Sequence, residues 1–238
     1  VHGRSGHASR PTIADNALVK AAPLIELLGR FQDTPSLGPE VEAFLRAVTG
    51  EVPTPDRAVE AAREVHLLAG DLIEPLLGTT VSPTQIVASR GRNVIPALCE
   101  VTVDCRILPE RTQADVEAQL RELLGDSGLD FEWLEGHGGT RSPLGTPLWD
   151  AVEAFVEETE PGAQVVPLLL AGFTDSHWLR DAFGTVAYGF FPMRAMEPEL
   201  AARLIHSADE RIEVEDLELG LRFLRHAAVE VGSLPSAA

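Results

Sequence analysis

Three stretches of this chain hold residues that can do chemistry. In Leu204-Ile-His-Ser-Ala-Asp-Glu-Arg-Ile212, His206 lies between an apolar pair and an acidic pair. A neutral imidazole is the commonest protein metal ligand, and neighbouring carboxylates can orient one. By itself such a histidine reads more readily as a surface residue. Gly172-Phe-Thr-Asp-Ser-His177 lies between an apolar run and a helical pattern. That is where α/β proteins hold ligands, and exposed amides with the Thr174 hydroxyl can bind a carboxylate or an oxyanion there. Taken alone, it reads as a simple strand-to-helix turn capped by Thr or Asp. The third stretch, Gly3-Arg-Ser-Gly-His-Ala-Ser-Arg-Pro11, puts His7 in a loop of small residues that leave room for its ring.

The elements that must position these groups follow from hydropathy period and punctuation. Residues 1 to 9 alternate weakly into a loop, and Pro11 with Asp15-Asn16 opens a helix whose period runs through Ala17, Ala21, Leu24, Ile25 and Leu28 to Gly29. Residues 33 to 56, rich in Pro, Gly and acid, read as an excursion on the surface of the first domain. A second helix is expected over about 56 to 77, with His66 half-buried on it. Strands are expected over Thr84–Ser89 and Cys99–Ile107, joined by a loop ending in Asn93-Val-Ile-Pro96, then a helix from Glu110 to Leu124 and a strand from Leu129 to Leu134. This order is a β-α-β-β-α-β ferredoxin-like arrangement. After Gly136-His-Gly-Gly139 helices alternate with continuously apolar strands, Val165–Leu170 and Val186–Phe190, as in a sheet covered on both faces. A domain boundary is placed near residue 136. A closing helix spans Val214–Val231, with Glu215 and Asp216 at its positive end.

Composition narrows the partners. The 238 residues carry 19 basic and 37 acidic side chains, a net charge of -18. No basic cluster offers a footprint for phosphate, so nucleic acid and anionic membrane surfaces are excluded as expected partners. No apolar run reaches the ~20 residues of a membrane span. Cys99 and Cys105 fall on one face of an alternating segment, about 20 Å apart if it is a strand, and read as core thiols in a reducing, cytoplasmic compartment.

Gly3-Arg-Ser-Gly-His7-Ala-Ser-Arg-Pro11, Asn93-Val-Ile-Pro96, Asp104-Cys-Arg106, Gly172-Phe-Thr174-Asp175 and His206-Ser-Ala-Asp-Glu210 stand in the order and spacing of a known family. Together they resemble the zinc-dependent aminoacylase, carboxypeptidase G and succinyl-diaminopimelate desuccinylase family of peptidases. The resemblance implies an α/β fold: a ferredoxin-like lid through which subunits dimerise, here residues 1–136 with a helical insertion at about 33–77, then the C-terminal half of a zinc-exopeptidase catalytic domain, here residues 137–238. It implies two zinc ions, with cobalt or manganese as alternatives, that activate a water for amide hydrolysis, and an amino-acid-like substrate with a free carboxylate. Residue by residue, His206 resembles the terminal metal ligand, and His7 the lid histidine that steadies the oxyanion in the partner subunit's site. Asn93 and Arg106 resemble groups that bind the substrate carboxylate, Thr174 the strand-end contact, and Arg141 a further substrate contact. Ser207, Phe173 and His177 depart from the family's usual glycine, glycine and arginine. The family's remaining metal ligands and general base have no match in this chain, so the expectation is the C-terminal portion of a dinuclear amidohydrolase, inactive alone and homodimeric. The alternative is a non-catalytic dimerising or binding module derived from that family.

Overall fold

Asn16 starts helix α1 (Ala17–Gly29) by accepting the amides of Leu18 and Val19 at 3.0 and 3.4 Å. The helix buries Ala17, Ala21 and Leu28, the face its apolar spacing marks. That face meets the antiparallel ladder of β2 (Thr80–Val87) and β4 (Glu100–Arg106), registered from Thr80 opposite Arg106 to Val87 opposite Glu100. The ladder is irregular between Pro83 and Gln85, where proline has no N–H to give. Helix α5 (Gln113–Leu124) begins with a capping box, the Thr112 hydroxyl on the Asp115 amide and the Asp115 carboxylate on the Thr112 amide. Val116 and Leu120 of α5 join Leu28 and Val81 in one core cluster, and Ala17, Ala21 and Cys99 form another. Cys99 is fully buried and Cys105 half-buried, both as free thiols.

The computed structural model describes residues 1–125 and 131–233. They fall into two units, one made of Val1–Ser36 and Leu77–Gly139, the other of Leu37–Leu76 and the chain from Thr140 on. Asp33 anchors the first unit, with its side chain only 6% exposed. It accepts the Thr79 and Thr34 amides at 2.8 and 2.9 Å and the Gln119 amide nitrogen at 2.8 Å. Burial pushes its carboxyl upward, but these donors more than offset that and hold it below the usual range.

In the second unit α2 (Pro39–Thr49), α3 (Ala58–Val65) and α4 (Leu67–Ile73) bury Val41, Phe44, Leu45, Ala58, Ala62 and Ile73. Helix α6 (Pro147–Thr159) packs on α9 (Val214–Gly232) through Ala151, Val152, Phe155, Leu219, Phe223 and Ala227. The Phe155 and Phe223 rings meet edge to face at 5.4 Å, a contact whose loss by Phe155→Ala would cost ~3–5 kcal/mol. Gly220 lets the Phe191 ring approach α9 closely, because a Cβ there would meet that ring and displace it. Helices α7 (Ser176–Phe183) and α8 (Pro198–Leu204) complete the set.

The structure departs from the expected elements in several places. The N-terminal strand shrinks to β1 (Gly6–His7), paired with β3 (Val94–Ile95), with isolated bridges at His2 and Arg4. The expected helix over 56–77 breaks at His66, whose backbone is extended (φ -160°, ψ 135°) and whose side chain accepts the Leu68 amide at 3.2 Å as the cap of α4. Its ring is exposed and lies 3.2 Å from Glu199 rather than half-buried. The apolar period runs on through Ala62 and Ala69, which hides the break. Residues Leu37–Leu76, which make up most of the helical insertion expected at about 33–77 of the first domain, group with the second unit. Val165–Leu170 and Val186–Phe190 pair in no ladder among the described residues. Phe131–Leu134 form no strand, and Leu129 and Asp130 of that expected strand lie outside the described residues.

Candidate functional site

His7 ends β1, and its register partner is Val94, so the chain places His7 beside the residue that follows Asn93. A further hydrogen bond from the Ala8 amide to the Asn93 carbonyl, 2.9 Å, ties the two loops. The Arg10 amide closes a turn onto the His7 carbonyl at 2.8 Å, and within it Ser9 reaches the His7 ring: its amide lies 3.2 Å and its Oγ 2.8 Å from Nδ1. Gly3 is obligatory at the base of the loop, since a Cβ would strike the Asp15 carbonyl. The Asn93 loop is shaped by Ser89, whose Oγ accepts the Gly91 amide at 3.1 Å and donates to the Gly91 carbonyl at 3.0 Å. His7 and Asn93 are both exposed and lie on successive rungs of one backbone pairing, His7 opposite Val94 and Asn93 opposite Ala8.

Arg106 is not part of that pair. It ends β4, ~20 Å along the strand from Glu100, with β3 beyond that end. Its guanidinium is held by Asp104 in a fork, Nε to Oδ1 at 2.7 Å and Nη2 to Oδ2 at 2.9 Å, with 47% and 42% of the two side chains exposed. An arginine so placed has the planar geometry for a carboxylate, but already grips one from its own strand.

In the other unit, Thr174 lies exposed in the turn before α7, and its carbonyl accepts the His177 amide at 3.0 Å. Asp175 is the N-cap residue but makes no side-chain cap bond. The His177 ring stacks near Phe173 at 4.8 Å and Trp178 at 5.0 Å, and its Nδ1 lies 3.5 Å from the Thr140 hydroxyl. Arg180 of α7 then reaches the same segment, donating to Ser142 Oγ at 2.9 Å, Thr140 Oγ1 at 3.2 Å and the Ala187 carbonyl at 2.6 Å. The Thr174 turn and the Thr140-Arg141-Ser142 stretch are thereby fixed to one another. Arg141 itself pairs with Glu40 at 3.1 Å, with 30% and 12% of the side chains exposed, so it ties α2 to this stretch. Sequence reading missed Arg180, Glu40 and Ser89, and quoted Ser9 and Asp104 within motifs without giving them a role. Ser9 and Asp104 sit two residues from His7 and Arg106, and that spacing was the available signal.

His206 follows α8 at φ 60°, the one residue other than glycine with positive φ among the described residues. Its amide donates to Glu210 Oε2 at 3.1 Å, and its side chain is exposed. Such a backbone costs ~1–3 kcal/mol and tends to persist where a side chain is being presented for use. A metal centre needs more than this residue supplies. Among the described residues no group of three or more His, Cys, Asp or Glu side chains could hold a metal ion. The described residues therefore do not fit a dinuclear site by themselves.

Residues 1–132 match the peptidase dimerisation domain of the M20 family. The chain is 25% identical over 242 residues to the human N-fatty-acyl-amino acid synthase/hydrolase, covering 94% of this chain and 46% of that protein. It is 29% identical to the succinyl-diaminopimelate desuccinylase of Cereibacter sphaeroides over 73% of this chain and 46% of the relative. It is 26% identical to aminoacylase-1 of Sus scrofa over 73% and 43%. The chain thus spans less than half the length of these curated relatives. Among solved structures, an M20 family metallo-carboxypeptidase from Sulfolobus solfataricus shares the fold with a TM-score of 0.57 at 15% identity, over 98% of this chain and 60% of that one. The match over residues 1–132, more than half of the chain, shows that the chain belongs to the M20 peptidase family.

Proposed function

We propose that this chain serves a metal-dependent hydrolase that cleaves an amide bond of an amino-acid-like substrate bearing a free carboxylate, working as a homodimer. The observation that carries the reading is the pairing of β1 with β3, which puts His7 and Asn93 on successive rungs of one backbone pairing, both exposed, within the dimerisation domain. His7 donates from its imidazole to the oxyanion that develops at the scissile carbonyl of the partner's substrate, and Asn93 hydrogen-bonds the substrate's carboxylate end. Arg106, distant from that pair along β4, grips the substrate's carboxylate. Thr174 supplies a strand-end hydroxyl to the substrate, and Arg141 supports that edge. His206 is this chain's metal ligand, with zinc as the metal and cobalt or manganese as alternatives. The names of the relatives, N-fatty-acyl-amino acid hydrolase, succinyl-diaminopimelate desuccinylase and aminoacylase, support a substrate that is an N-acylated amino acid.

The test is subunit complementation in the complete enzyme. Subunits carrying His7→Ala and subunits carrying His206→Ala are each expected to be nearly inactive, since losing one oxyanion donor costs ~10²–10³ in turnover. Mixed and allowed to exchange, they should regain activity, because one site of each heterodimer combines an intact His206 with the partner's intact His7. Heterodimers as inactive as their parents would refute action of His7 across the dimer.

A further inference from the structure

The chemistry proposed for His7 depends on which ring nitrogen holds the proton, and the loop answers that question. A backbone amide can only donate. The Ser9 amide lies 3.2 Å from His7 Nδ1, so in this arrangement Nδ1 presents its lone pair and the neutral ring keeps its proton on Nε2. The Ser9 hydroxyl, 2.8 Å from the same nitrogen, then donates as well. The backbone on either side of Ser9 is held in place. The Arg10 amide closes the turn on the His7 carbonyl at 2.8 Å, and the Ala8 amide is bound to the Asn93 carbonyl at 2.9 Å.

We propose that Ser9 is a positioning residue that holds His7 as the Nε2–H tautomer, with its single N–H on the ring edge opposite the turn. The proposal rests on the reading of His7 as an oxyanion donor. In that role the tautomer decides the sign of the interaction: Nε2–H offers a proton to the developing negative charge, whereas the Nδ1–H tautomer would offer it a lone pair. Ser9 thus acts through His7 and need not touch substrate.

The experiment has a spectroscopic arm and a kinetic arm. In the chain labelled with 15N-histidine and held at about pH 8, where a histidine of ordinary pKa is neutral, long-range proton–nitrogen correlation reads the tautomer. His7 is identified by the signals lost in His7→Gln. The native protein should show an unprotonated, hydrogen-bonded Nδ1 and a protonated Nε2. Ser9→Ala keeps the backbone donor but loses the hydroxyl, and should raise the Nδ1–H population, with Ser9→Thr restoring the native spectrum. In the complete enzyme Ser9→Ala should lower kcat ~2–10-fold with KM little changed, the scale of one hydrogen bond, and Ser9→Thr should rescue it. A native His7 protonated on Nδ1, or a tautomer indifferent to Ser9→Ala, overturns the role of Ser9 even if subunit complementation succeeds. A tautomer that responds to Ser9 while kcat does not overturns the donor role of His7 and leaves the Ser9–His7 coupling standing.

Discussion

Asp216 offers the sharpest test of how the second unit is held. It sits in the first turn of α9, 1% exposed, and accepts three successive backbone amides, Arg194 at 2.6 Å and Ala195 at 2.8 Å on Oδ1 and Met196 at 2.9 Å on Oδ2. In Asp216→Asn the remaining oxygen can keep the Arg194 and Ala195 amides. The new NH₂ then faces the Met196 amide, donor against donor. A buried amide left without an acceptor costs ~1–3 kcal/mol, and the two surviving bonds lose their charge assistance. The expected loss is ~2–4 kcal/mol. Against a urea slope of ~2 kcal/mol/M this lowers the unfolding midpoint of the second unit by about 1–2 M. The pH dependence carries a sign. Burial raises the Asp216 carboxyl, but the Ala195, Arg194 and Met196 amides outweigh it and hold the carboxyl below the ordinary carboxylate range. A group depressed in the folded state stabilises fully above its unfolded pKa of about 3.9, and the contribution is lost as pH falls through the lower folded value. The native protein and Asp216→Asn should therefore differ most above pH ~5 and converge in acid. Equal urea midpoints at pH 7, or amides at 194–196 that exchange no faster in the variant, would refute the clamp.

Asp33 in the first unit is depressed by the same kind of donors, so Asp33→Asn should also flatten the acid limb of that unit's stability curve below pH ~4, read by urea titration across pH. At His206, glycine and alanine both remove the imidazole but differ in backbone cost. His206→Gly should be the more stable by about 1 kcal/mol in chemical denaturation, and equal stability would show that φ 60° is not strained. In the complete enzyme, Arg106→Ala should impair substrates with a free carboxylate by ~2–5 kcal/mol more than amidated analogues. Asp104→Asn should do the reverse, lowering KM for the carboxylate substrates, because the competing fork at 2.7 and 2.9 Å is loosened. Identical effects on both substrate types would reduce Arg106 to a strand-end ion pair.

Helices were the legible part of the sequence because the signals that make them are local. Asn16, Thr112 and Thr146 each cap a helix from within three residues, accepting the amides of Leu18, Asp115 and Trp149. The motif residues were also legible one at a time, since types and spacing pick out His7, Asn93, Arg106, Thr174 and His206. What no spacing states is which of them share a neighbourhood. His7 and Asn93 are 86 residues apart and become adjacent through one two-residue ladder, while Asn93 and Arg106, only 13 apart, are separated by the length of a strand. Asp216 shows the same limit. In the sequence it is an acidic residue favourably placed at a helix start, yet the structure spends it on amides 20 to 22 residues away.

The strands expected at Val165–Leu170 and Val186–Phe190 show why apolar runs mislead. An apolar run reports a demand for burial, but a strand is a relation between two backbones and exists only where a neighbour supplies the ladder. Ala187 shows the substitute the chain uses here: its amide donates to Ser142 Oγ at 2.9 Å, and its carbonyl accepts from Ser142 at 3.0 Å and Arg180 at 2.6 Å. Side chains thus take part of the work of a neighbouring strand, and one arginine on α7 fixes Ala187, the Thr140–Ser142 stretch and the helix behind Thr174 together. Precision at Thr174 then depends on Arg180, a residue that touches no proposed substrate atom. Loosening it would reach the candidate site through the backbone, which is why the reach of the site extends beyond the residues that its motifs name.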